Sequence, residues 1–198
     1  PLLRDPWLIS QSLMQLLYLI PPAVLLWSNL GRGSAASIVL VPVLIMTAGQ
    51  LAGGLAWLTI SGEVAPDLVS SAPVSPSRLL RAKIEVVLQS VGVVLLPFAA
   101  ALSLVSLRQA FLVVLGSAAA AASSTAIQLW FRSQSKRSHF RRRHTSSRIA
   151  TFSEALVSIT WAAAGTAALV SLWLAGFAAL IALALLAGVR ALSPRRAA

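Results

Sequence analysis

The sequence predicts an all-α bundle that crosses a membrane several times, and three observations lead there. Hydrophobic residues make up 58% of the chain and charged ones 11%, with a mean hydropathy of +0.84. Soluble domains are built with about 45–50% apolar and about 25% charged residues, so this much apolar surface needs lipid as a second solvent. The apolar residues also fall in runs close to the roughly 20 residues that cross a hydrocarbon core about 30 Å thick. Finally, the Lys and Arg residues gather in a few short segments between those runs, as the positive-inside rule expects of a polytopic protein.

Taken in order, residues 8–30 form the first expected span, with Trp7 and Trp27 at its interfaces and Pro21 and Pro22 as a kink. Residues 36–60 form the second, containing Pro42, Gln50 and the glycines Gly49, Gly53 and Gly54. Gly49 and Gly53 stand at the GxxxG spacing that lets another helix approach closely, so this trio is the candidate packing face. Residues 84–106 make the third span, with Pro97 as a further kink, and Leu107, Arg108 and Gln109 turn the chain. The fourth, 110–131, has the small-residue middle GSAAAAASSTA, which suits contact with other helices. Residues 149–170 and 172–192 close the chain as a hairpin, giving six spans in one domain over 1–198.

Two polar segments, 61–83 and 132–148, separate the hairpins. With the first span starting in the cytoplasm, fourteen of the sixteen Lys and Arg lie inside, and only Arg32 and Arg108 lie outside. That asymmetry predicts both termini in the cytoplasm. In 61–83, Pro66, Pro73 and Pro76 divide the backbone, and Glu63 to Ser71 can form about two helical turns with its acids favourably placed at the start. Ser75 as N-cap and Pro76 as first helical residue are suited to begin the third span.

The segment 132–148 carries Arg132, Lys136, Arg137, Arg141, Arg142, Arg143 and Arg148. A polybasic stretch beside a span lies on anionic headgroups and fixes topology. Its one aromatic, Phe140, gives no stacking platform for single-stranded nucleic acid, so no nucleic-acid partner is expected. The chain has no cysteine, no HExxH pattern and no P-loop, so no catalytic role and no metal or ATP site of its own are expected. Glu154, one turn inside the fifth span, is the acid placed in the membrane. Such a residue marks a functional site by default, with an interfacial ion pair to Arg148 as the alternative.

Three stretches, RDPWLISQSLMQLLYLIPP (4–22), GEVAPDLVSSAPVSPSRLLRAK (62–83) and QLWFRSQSKRSHFRRR (128–143), resemble bacterial permeases of the ATP-binding cassette exporter type. The most specific part is GExAPDL, carried by Gly62, Glu63, Ala65, Pro66, Asp67 and Leu68, with the following Ala72 and Pro73. Many members carry an acid where this chain has Val64. The resemblance implies a permease subunit in a bacterial inner membrane, without enzymatic activity itself. It also implies a separate or fused ATPase holding ATP and Mg, and a second permease half or homodimer. Coupling to the ATPase would fall to Gly62, Glu63, Pro66, Asp67, Leu68 and Pro73. Members of the family are longer, and a chain opening on Pro1 reads as the C-terminal part of such a permease. The rival expectation is a membrane scaffold or assembly protein whose polybasic segment holds lipid.

Overall fold

The computed structural model describes Leu17 and residues 20–29, 39–61, 76–131 and 143–193. Among these the structure is all-helical, comprising α1 (Ile20–Asn29), α2 (Leu40–Ser61), α3 (Pro76–Ser103), α4 (Leu107–Trp130), α5 (Arg143–Val170) and α6 (Leu172–Leu192). Among the described residues, five stretches are long and apolar enough to cross a membrane: Leu40–Thr59, Ser77–Ser103, Leu107–Trp130, Ile149–Val170 and Leu172–Leu192. This is the architecture of a multi-pass membrane protein. The expected first span and both termini fall largely outside the described residues, which hold α1 with Pro21 and Pro22 at its head.

Helix α2 is the centre of the bundle. Within its apolar window 61% of the residues are buried, against 6% in α6. Val41, Ile45, Ala48, Ala52 and Ala56 follow one another at three- and four-residue steps and are fully enclosed, as one continuous helical face requires. Pro42 lies in the first turn, where backbone N–H groups have no partner within the helix, so its missing donor costs the ladder nothing. Helices α4 and α5 pack against α2 and against each other, α3 lies along α4 and α2, and α6 covers α5. Outward-facing residues of α6 are large and apolar, including Trp173, Phe177 and Leu180, as a lipid-facing surface demands.

Several boundaries differ from the sequence reading. The turn between the third and fourth spans is Leu104 to Ser106, and Arg108 and Gln109 are already helical. Ser106 is extended and its hydroxyl accepts from the Gln109 amide at 3.4 Å, so this N-cap starts α4 earlier than the apolar run does. Helix α5 starts at Arg143, within the segment read as a loop. Hydropathy marks where lipid begins, and a helix continues into the polar region beyond it. Helix α3 does begin at Pro76, and it runs through Pro97.

Four threonine hydroxyls inside the spans are satisfied locally, while the buried Ser117 hydroxyl has no hydrogen-bond partner among the described residues. Thr47, Thr125, Thr160 and Thr166 each donate to the carbonyl four residues earlier, at 2.7, 2.7, 2.7 and 2.9 Å. In hydrocarbon such back-bonding removes the cost of an unpaired donor.

Candidate polar seam between three helices

The face that α2 turns towards α4 and α5 bears glycine at two positions one turn apart. At Gly49 an added Cβ would lie against Ser158, whose own Cβ is 2.9 Å away, with Ser124 Oγ at 3.4 Å. At Gly53 the three nearest atoms all belong to the carboxyl group of Glu154. Glycine is therefore needed at both positions for close approach of another helix, here α5. Gly54 is half-buried in the same helix.

The polar groups meeting these glycines form two layers. In the first, Ser124 and Ser158, both fully buried, pair through their hydroxyls at 3.3 Å over Gly49. In the second, Gln128 Nε2 donates to Glu154 Oε2 at 2.8 Å beside Gly53. Each helix contributes residues four apart: Gly49 and Gly53, Ser124 and Gln128, Glu154 and Ser158. Four residues rise about 6 Å, so the layers lie one turn apart. Helices α2 and α4 run through them in the same direction and α5 runs opposite. Trp161 extends the seam, its Nε1 donating to Ser123 Oγ at 3.0 Å.

Glu154 is 4% exposed within the span Ile149–Val170. An acid at such a position needs a polar partner, and the Gln128 amide supplies one while Gly53 leaves it room. Above this seam the packing becomes apolar: Ile45 is seated where Gly116 and Gly165 leave space on α4 and α5. Among the described residues, no three of His, Cys, Asp and Glu come together as a metal-ligand group.

The ends of the bundle are ordered by three contacts. Arg108, at the start of α4, donates through Nη2 to the Ala168 carbonyl at 2.7 Å, near the end of α5. That pairs a cation with the negative pole of a helix. Arg190 of α6 stands over the Trp130 ring at 5.6 Å, bringing together the last turns of α4 and α6. Gln128 and Glu154 join the end of α4 to the early part of α5. The turn 104–106 and the one-residue turn at Ser171 therefore share one end, and the helix ends leading into 62–75 and 132–142 share the other.

The sequence-predicted coupling residues Gly62, Glu63, Pro66, Asp67, Leu68 and Pro73 lie outside the described residues, as do Arg132, Lys136, Arg137, Arg141 and Arg142. Arg143 and Arg148 are in the first turns of α5, and their side chains are not among those described. Sequence reasoning noted Glu154 but missed its partner Gln128, and missed the Ser124–Ser158 and Ser123–Trp161 pairs. The signal for the first two was the shared four-residue step on three helices. Comparison with protein-family models, curated proteins and solved structures finds no match for this chain.

Proposed function

We propose that the chain is a membrane-spanning permease subunit of an ATP-driven exporter in a bacterial cytoplasmic membrane, and that the 61–83 segment, through Gly62 to Pro73, couples it to a separate or fused ATPase holding ATP and Mg. The observation that supports this reading is that the helix ends leading into both polar segments lie at one end of the bundle. The helix ends that lead into 62–75 and 132–142 share that end with Arg190, whereas the opposite end has Arg108 as its described cation. Basic residues mark the cytoplasmic side of a polytopic protein, which is where an ATPase works.

Helix α2 gives the reading a mechanical route. It leads directly into the 62–75 segment and is also the helix on which α4 and α5 are seated through Gly49 and Gly53. A push on that segment therefore enters the bundle at its most buried element. The Gln128–Glu154 bond and the serine pair are among the polar contacts that a shift of α5 relative to α2 and α4 would break and remake. Two arrangements of such a seam are what alternating access asks of a packed bundle.

The test is to replace Glu63 and Asp67 together by Gln and Asn and purify the variant alongside the native chain. The native chain should carry a P-loop ATPase with it and stimulate ATP hydrolysis, and the double variant should lose both. Retained binding and stimulation in the variant would overturn the coupling role. A native chain that binds anionic lipid but brings no ATPase would instead favour a scaffold.

A further inference from the structure

Among the described residues, the bundle offers Glu154 an amide where a buried acid would ordinarily meet a cation. The residue is enclosed, and its carboxyl group fills the space that Gly53 leaves on α2. Helix α2 contains no titratable residue. Helix α4 has only Arg108, at the opposite end of the bundle and bonded to the Ala168 carbonyl. Helix α6 has only Arg190, which stands over the Trp130 ring. Arg78, Arg81, Lys83 and Glu85 belong to α3, which lies along α2 and α4. On α5 itself the helical neighbours of Glu154, three and four residues away, are Ala150, Thr151, Val157 and Ser158. Arg148 is six residues away, which is not a spacing of helical neighbours, and Arg143 and His144 are further still.

A carboxylate enclosed without a cation is costly, whereas the neutral acid needs only hydrogen bonds. An amide is the natural complement of that neutral form. A carboxylic acid offers one donor and one acceptor, as the amide does, but a carboxylate can only accept. The bond from Gln128 Nε2 to Glu154 Oε2 at 2.8 Å uses the amide donor, and the Gln128 carbonyl is the acceptor that an acid proton requires. We propose that Glu154 and Gln128 form a proton-binding site, in which the carboxyl holds a proton while the seam is closed and exchanges it with the polar end of the bundle. That end is near: Glu154 stands five residues inside the stretch Ile149–Val170, roughly 7–8 Å along the helix. Movement of α5 away from α2 and α4 separates acid from amide and leaves the carboxyl free to ionise, so proton release accompanies opening of the seam. The site rests on the packing of α2, α4 and α5 and holds whether or not 61–83 couples to an ATPase.

Infrared spectroscopy of the native chain in lipid nanodiscs reads the proton itself. At neutral pH the spectrum should contain a carboxylic-acid C=O band that Glu154→Gln abolishes without loss of helical content. Gln128→Leu should move the band to higher frequency, because the acid loses its amide partner, without removing it. Transfer into D2O should shift the native band, since a proton in exchange with the polar end is replaced by a deuteron. Absence of an acid band at neutral pH would overturn the proposal, as would a band that survives Glu154→Gln. A band indifferent to D2O would also overturn it, because the proton would then be sealed in place. If Glu154→Gln fails to fold, Gln128→Leu still decides, and a band that it leaves unmoved would contradict the site. None of these readouts involves an ATPase, so failure here and failure of the coupling role are separate results.

Discussion

Replacing Gly53 by Ala probes the seam where its chemistry is most exacting. The new Cβ would occupy the position of the Glu154 carboxyl group, which is enclosed between α2 and α4 and bonded to Gln128 at 2.8 Å. The carboxyl can leave only by giving up that bond. An interhelical hydrogen bond in a membrane contributes about 0.6 kcal/mol on average and up to about 1.7 kcal/mol. Forcing an extra methyl into a packed interior costs about 1–3 kcal/mol. Against these, Ala is favoured over Gly in a helix by about 1 kcal/mol. The balance is a loss of about 1–3 kcal/mol, whereas Gly176→Ala on α6, with open space around it, should gain up to about 1 kcal/mol. Equilibrium unfolding in mixed micelles, followed by tryptophan fluorescence, measures both. The decisive comparison repeats Gly53→Ala in a Glu154→Ala background, where the obstructing atoms are gone and the substitution should become neutral or stabilising. An equal cost in both backgrounds, or a Gly53→Ala variant as mild as Gly176→Ala, would refute the reasoning.

Gly49→Ala should cost about 2–3 kcal/mol, because the nearest fixed atom is the Ser158 Cβ at 2.9 Å, which no rotamer change can move. Ser158→Gly should relieve that cost and Ser158→Ala should not, as the same unfolding assay would show. Arg108→Gln should lower stability by about 0.5 kcal/mol, since an exposed cation at a helix C-terminus contributes little more than that. The loss should shrink as salt is raised in the unfolding experiment.

The helices were largely legible in the sequence because lipid imposes a length and a polarity on each one. Runs such as 172–192 have few ways to fold in a bilayer. Helix ends were less legible: α5 begins in the charged stretch at Arg143, and α4 begins at a serine cap, where backbone hydrogen bonding rather than hydropathy decides. The seam was half visible. Gly49 and Gly53 announced themselves by spacing, and Glu154 by its place among apolar neighbours. What joins them is a three-helix contact, and Gln128 looked no different from Gln50 or Gln89 until packing separated the three. Gln128 holds an acid, Gln50 is half-buried in α2, and Gln89 faces outward.

The proposed function requires that the two polar segments, 62–75 and 132–142, lie on one side of the membrane, and sided labelling tests this most directly. In the cysteine-free chain, Ser70→Cys and Ser135→Cys report the two polar segments, while Leu104→Cys and Ser171→Cys report the two tight turns. With a membrane-impermeant maleimide on sealed inverted vesicles, the first pair should react and the second pair should stay protected until the vesicles are opened. Labelling that splits either pair between the two sides would contradict the topology, and with it the coupling role proposed for residues 62–75.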